Sequence, residues 1–324
     1  MSIEAPTFAT ENKEKKTVKI GNIEVGGKLP ILIGGPCMVE DFEQLEIVAD
    51  ALRKISETTG LPVVLRGGVN KPRTKPSGHQ GLGEEGLEML VQIRDKTGIL
   101  IATEIRGEEY MKYIENSDKR PDLPWIGSRN GLNQDLIGKA AQAAQKAHVP
   151  IMIKRNWGAT VEEWMGAVGY AANAWGHEIK ESLSGEIILC ERGIRVGDLE
   201  NPLSKTILDL TGMREAQEKS GRLPVIVDPS HGTRMRDRVL PASIAAIQAG
   251  ADGLIIEIHP TPEKAKSDPS QQITPEEAII LAKAIVDPEI KTGPIKERDW
   301  IRWQTKATKD LRKWWMIPKV LLKK

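Results

Sequence analysis

The chain has little of what builds a small secreted or membrane-anchored protein. Only two of its 324 residues are cysteines, Cys37 and Cys190. Two thiols make no disulfide framework, so a reducing, cytoplasmic setting is the expectation. No apolar run approaches the ~18 residues that a membrane span needs. The opening stretch, MSIEAPTFATENKEKKTVKI, lacks the apolar centre of a signal peptide. A formal net charge of +1 leaves no global field that would draw in nucleic acid. What remains is a chain that is 40% apolar and long enough for one large α/β barrel of ~250 residues with extensions.

One pattern recurs eight times. Short runs rich in Ile, Val and Leu occupy 31–37, 62–68, 99–105, 123–129, 150–155, 186–193, 224–231 and 253–260. Each is followed by a polar or glycine-containing turn and then, usually, by helical spacing. Near-continuous apolar strands alternating with helices indicate a parallel sheet covered on its faces. Eight such units favour a closed (β/α)8 TIM barrel over an open sheet. Helical periodicity is clear from Glu40 to Ser56. Thr160 with Glu163, and Thr274 with Glu277, read as capping boxes. Residues 18–30 predict a short hairpin that closes the barrel bottom. Three regions result: a disordered 1–16, a barrel with its hairpin over 17–290, and a C-terminal helical extension over 291–324. That extension holds eleven Lys/Arg against three Asp/Glu, and four of the eight tryptophans: Trp300, Trp303, Trp314 and Trp315. Basic, tryptophan-rich helices suit packing on the chain's own barrel, a contact in a homo-oligomer, or binding at a membrane surface or another partner.

In a parallel barrel, chemistry sits at the C-terminal ends of the strands. All eight runs end on or near a charged or ligand-capable residue. Arg66, Lys71, Arg73, Arg129, Lys154, Arg155 and Arg192 form a cationic set. Such a set suits several phosphates and carboxylates, because guanidinium binds these bidentately. Cys37, His231, Glu257 and Asp268 form a second set with sulfur, nitrogen and oxygen donors. That mixture fits a borderline divalent metal such as Mn, Fe, Co or Zn. Each residue also has a plainer reading: a buried apolar thiol for Cys37, a hydrogen-bonded core histidine for His231, a solvated loop charge for the others.

The ordered motifs are more specific. They are GPC (35–37), LRGG and KPRT (65–68, 71–74), QGLGEEGL (80–87), TE (103–104), IGSRN (126–130), IKR and AT (153–155, 159–160), and ILCERGIR (188–195). LPVIVDPSH (223–231), GADGLIIEIHP (250–260) and PEKAKSD (262–268) follow. With these motifs over about residues 17–286, the chain resembles the 3-deoxy-7-phosphoheptulonate synthases of the short, type I beta group. The resemblance implies a metal held by Cys37, His231, Glu257 and Asp268, manganese first among the candidates. It implies a phosphoenolpyruvate site of Arg66, Lys71, Arg129, Lys154 and Arg192, and an aldose-phosphate site at Arg73 and Thr74. Erythrose 4-phosphate is the expected aldehyde, in the first step of the shikimate pathway. Lys71, Glu104 and His231 are the expected catalytic groups, with Glu104 on the attacking water and Lys71 moving a proton. A homo-oligomer, dimer or tetramer, and no organic cofactor are expected.

Two other readings stand beside this one. The eight-carbon relative, 3-deoxy-8-phosphooctulonate synthase, carries Asn-Arg where this chain has Pro72-Arg73. A catalytically silent paralogue would have lost a ligand or Lys71, and neither is lost. The chain also departs from the family pattern. Lys75-Pro-Ser-Gly-His79 follows KPRT. Ser128-Arg-Asn-Gly131-Leu-Asn133 replaces Ala-Arg-Asn-Met-Gln-Asn, and Asn156-Trp157-Gly158 replaces Gly-Met-Ser.

Overall fold

The computed structural model describes residues 15–70, 80–176, 186–196 and 206–287. Lys71, Arg73, Thr74 and the 291–324 extension lie outside the described residues. So do residues 1–14. Residues 15 and 16, expected within a disordered terminus, are instead tied to the barrel. Lys15 Nζ lies 2.5 Å from Asp252 Oδ1, and Lys16 N donates to the Arg222 carbonyl at 3.1 Å.

The expected hairpin is formed by β1 (Val18–Ile20) and β2 (Ile23–Val25), paired antiparallel. The eight apolar runs become β3 (Ile31–Gly35), β4 (Val63–Arg66), β5 (Ile101–Glu104), β6 (Leu123–Ile126), β7 (Ile151–Lys154) and β8 (Ile187–Glu191), then β11 (Val225–Val227) and β12 (Gly253–Glu257). They close a parallel barrel in the order β11-β12-β3-β4-β5-β6-β7-β8. A small antiparallel pair, β9 (Ile194–Arg195) and β10 (Thr206–Ile207), lies beyond β8.

Side chains of a strand alternate between the two faces of the sheet. Ile31 and Ile33 therefore join an interior cluster with Val64, Ala102, Trp125, Met152, Cys190 and Ile255. Leu32, between them, packs outward with the helices. Val18, Ile20 and Val25 of the hairpin complete the interior cluster and close its lower end.

The helix expected over 40–56 runs from Phe42 to Thr59 (α1), two residues later than its periodicity suggests. Asp41 takes the cap, accepting from Gln44 N at 2.8 Å, and so sets the start. Both capping boxes are present. Thr160 opens the helix Val161–Ala174 and Thr274 opens the helix Pro275–Val286. Among the described residues, no helix is long and apolar enough to cross a membrane.

Candidate active site

Cys37 lies just past β3, at the upper end of the barrel. Its Sγ is 3.1 Å from Asp268 Oδ2 and 3.2 Å from Ser267 Oγ. Glu257, the last residue of β12, is fully buried. Ligand atoms of Cys37, Glu257 and Asp268 lie within 4.8 Å of one another. His231 closes on this group from the next strand, with Nε2 3.5 Å from Glu257 Oε1. Two carboxylates and a thiol so close repel one another when ionised, unless a cation sits among them. Sulfur, imidazole nitrogen and carboxylate oxygen together suit a borderline divalent ion. On this ground the four residues fit the expected metal.

The ligands are oriented by residues that sequence reasoning missed. Asp228 caps the one-turn helix Pro229–Thr233, and it is buried. Its Oδ1 accepts from His231 N at 3.0 Å, and its Oδ2 faces His231 Nδ1 at 2.8 Å and Lys154 Nζ at 2.6 Å. Burial pushes this carboxyl upward, but His231, Lys154 and Arg192 outweigh it and hold it well below the usual carboxylate range. An ionised Asp228 requires Nδ1 to be the donor. Nε2 is thereby the ring nitrogen turned toward Glu257 and the ligand cluster, and the one that would ligate a metal. Gln271 and Gln272 act similarly. Gln271 Nε2 donates to Glu257 Oε2 at 2.7 Å. Gln272 accepts from Cys37 N at 3.0 Å and donates to the Ser267 carbonyl at 2.7 Å, fixing the Asp268 loop against β3. Asp228 sits inside the DPSH motif, where a capping Asp before Pro was a usable signal. The glutamines carried none.

Five of the expected cations are described, and the four expected to bind phosphoenolpyruvate gather at this mouth. Arg66 is buried, with Nη1 3.5 Å from Glu257 Oε1; its Nε and Nη1 have no hydrogen-bond partner among the described residues. Arg66 and Lys154 both lie over the Trp125 ring, at 5.2 and 5.5 Å from its centroid. Trp125 is 2% exposed and forms the floor of the site. Arg129 and Arg192 lie over Trp157, at 5.6 and 5.8 Å. Burial lowers the Arg192 guanidinium from its ordinary value, so an incoming anion there relieves an electrostatic cost. Glu104 ends β5 against Gly127. A Cβ at Gly127 would stand 1.8 Å from Glu104 Oε1, so glycine is what admits the carboxylate.

One member of the cationic set does not belong to the site. Arg155 turns away to Glu191 Oε2 at 3.0 Å, Asp209 Oδ2 at 2.8 Å and the Ala159 carbonyl at 3.0 Å. Burial disfavours its charge, yet Asp209 and Glu191 more than offset that and raise it. Glu191, pushed up by burial, depends on this partner. Arg155→Lys is therefore expected to lower stability by about 1–2 kcal/mol, since a point charge cannot serve three acceptors as a fork does. The substrate Michaelis constants should stay within about twofold of wild type. A thermal melt beside steady-state kinetics tests both statements. Cys190, the second thiol, is buried inside the barrel and pushed up to about 12, which makes it inert.

Comparison with known proteins points to one family for this barrel. A phospho-2-dehydro-3-deoxyheptonate aldolase of Thermotoga maritima is 38% identical over 260 residues, spanning 80% of this chain and 70% of that protein. Its crystal structure superposes with a TM-score of 0.72, covering 84% of this chain and 73% of the other. A truncated form of the Thermotoga enzyme gives 0.69 at 36% identity, covering 84% and 91%. A 2-dehydro-3-deoxyphosphooctonate aldolase of Fusobacterium nucleatum is 28% identical over 266 residues, 78% of this chain and 87% of that protein. The model of the DAHP synthetase I family matches residues 7–291. The chain belongs to the DAHP synthetase I family.

Proposed function

We propose that this barrel is a 3-deoxy-7-phosphoheptulonate synthase, joining phosphoenolpyruvate to erythrose 4-phosphate and releasing phosphate, the entry step to aromatic amino acids. The convergence of Cys37, Glu257, Asp268 and His231 beside four cations at one barrel mouth carries this reading. Arg66, Arg129, Lys154 and Arg192 hold the phosphate and carboxylate of phosphoenolpyruvate, together with Lys71. Arg73 and Thr74 take the aldose phosphate. Binding two anions side by side offsets their repulsion and sets their orientation.

Carbon 3 of phosphoenolpyruvate then bonds to the aldehyde carbon, whose oxygen takes a proton from Lys71. A water oriented by Glu104 adds at carbon 2 and gives one proton to Glu104, from which Lys71 is reprotonated. The carbon 2 hydroxyl then gives its proton to the phosphate oxygen as the bond from carbon 2 to that oxygen breaks, leaving the ketone and inorganic phosphate. A divalent ion held by Cys37, His231, Glu257 and Asp268 supplies Lewis acidity toward the aldehyde oxygen when bound. Manganese is the first candidate, with iron, cobalt or zinc behind it. The remaining expectations are a cytoplasmic homo-oligomer acting on small molecules only.

The eight-carbon synthase is the second reading, favoured by relatives of that name at 26–28% identity. Phosphate release measured with a panel of aldose phosphates separates the two. Erythrose 4-phosphate should give the highest kcat/KM, and a preference for a five-carbon aldose phosphate would overturn the assignment. In the same assay, Arg73→Ala should raise the KM for the aldose phosphate about tenfold or more, with that for phosphoenolpyruvate little changed. Unchanged aldose saturation would remove Arg73 from the site.

A further inference from the structure

The four cations at the mouth divide between two tryptophans, and the two pairs differ. Over Trp125, each cation also faces a carboxylate: Arg66 has Glu257 at 3.5 Å and Lys154 has Asp228 at 2.6 Å. Over Trp157 there is no such close pairing among the described residues, although Arg192 interacts with Asp228 at longer range. Among the described residues, no carboxylate lies within ion-pair distance of Arg129 or Arg192, and what they share is the indole face. That difference has a chemical use. A carboxylate would neutralise the two guanidiniums, but an entering phosphate would then have to displace it. An aromatic face attracts cations through its quadrupole, more weakly, and leaves their N–H groups to the ligand. It also occupies the space beside two like charges that repel each other.

The turn that carries Trp157 is fixed to both cations' own segments. Asn156 Nδ2 donates to the Ser128 carbonyl at 2.8 Å, and Asn156 Oδ1 accepts from Gly158 N at 2.9 Å. Ser128 Oγ donates to the Arg155 carbonyl at 2.7 Å. Gly131 permits the approach: a Cβ there would stand 2.6 Å from the Lys154 carbonyl oxygen and 2.9 Å from Asn156 N. These contacts join the turn to the loop of Arg129. The Trp157 carbonyl accepts from Arg195 N at 2.8 Å, which joins it to the segment of Arg192. Ser128, Gly131, Asn156 and Trp157 are all positions where this chain leaves the family pattern, and here they act as one assembly.

We propose that Trp157 is a positioning residue for phosphoenolpyruvate, whose ring holds the Arg129 and Arg192 guanidiniums in place to receive its anionic groups. The proposal rests on the assignment of those two arginines to phosphoenolpyruvate made above. Trp157 is half-buried on a turn, so its replacement spares the barrel core.

The test compares Trp157→Leu with Trp157→Phe. The leucine variant should raise the KM for phosphoenolpyruvate about tenfold, because two cation–ring contacts present before and during reaction are lost. Its KM for the aldose phosphate should move less than about twofold. Phenylalanine keeps an aromatic face and should recover most of the difference. Tryptophan emission gives a readout independent of turnover. Phosphoenolpyruvate added alone should change the emission of the wild type, and that change should be reduced in Trp157→Phe to what Trp125, the other ring at the site, contributes. A leucine variant with wild-type KM for phosphoenolpyruvate overturns the proposal. So does one in which both Michaelis constants rise equally, since that marks a general scaffold role. Arg129→Ala and Arg192→Ala serve as the reference. If they leave phosphoenolpyruvate saturation unchanged, the substrate assignment itself is wrong, and the role of Trp157 falls with it.

Discussion

Cys37→Ser is expected to lower turnover by about a hundredfold or more, with metal affinity falling in parallel. The thiol is the one soft donor in the set, and a serine hydroxyl remains protonated near neutrality where a thiolate does not. Replacing even an outer-shell partner of a metal ligand costs about 10–100-fold, so losing a direct ligand should cost at least as much. The fold should survive, because serine is nearly the same size and its hydroxyl can still meet Ser267 and Asp268, which lie 3.2 and 3.1 Å from the sulfur. Metal titration by calorimetry and activity after chelation are the measurements. Full activity of the wild type in excess chelator would remove the metal from the mechanism, whatever the variant does.

Asp228→Asn should be nearly as damaging, for a different reason. One carboxylate answers three donors: the His231 backbone, its ring and the Lys154 ammonium. Asparagine keeps the volume but offers one acceptor oxygen and turns an NH2 toward groups that themselves donate. Lys154, 4% exposed, is then left without its partner. Removing one member of a buried pair costs about 3–5 kcal/mol. Metal affinity should drop about 10–100-fold as the His231 ring loses its anchor. A melt in the presence and absence of metal separates the two losses. A variant with unaltered metal affinity would show that His231 needs no anchor.

Much of this molecule can be read before any coordinates are known. Eight β-branched runs give eight strands because a parallel barrel buries both faces of each, and burial imposes a visible composition. Site residues stand out because ionisable groups at strand ends need a reason to be there. Pairing is harder to read. Lys154 and Arg155 are neighbours with the same charge, yet one faces Trp125 and the other Glu191. Glu191 and Arg192 split the same way. Successive strand residues point to opposite faces, so the alternation was available, but the partners on each side come from distant strands. Asp228 is hard to single out, because a helix cap and a ligand anchor look alike in a motif. Trp157 stands out in the sequence only as a departure from the family pattern and Trp125 only as part of an apolar run, since nothing in the sequence shows which charges will settle over a ring.

Closure of the barrel places its first strand, β3, beside its last, β12. The ligand set straddles that seam: Cys37 comes from one side, while His231, Glu257 and Asp268 come from the other. The contact from Cys37 to Asp268 spans 231 positions of sequence. The entropy of closing so long a loop grows only logarithmically, about 0.6 kcal/mol per doubling of length, but it must be met before the site exists. A partly folded barrel with an open seam therefore lacks the thiol of the set. A cation held by all four residues would bind the closed ring more tightly than the open one, and so would stabilise that ring in proportion to the logarithm of its concentration. The proposed metal centre would then also be the clasp of the fold, and a cell short of the ion would be expected to hold less of the folded protein as well as less of its activity.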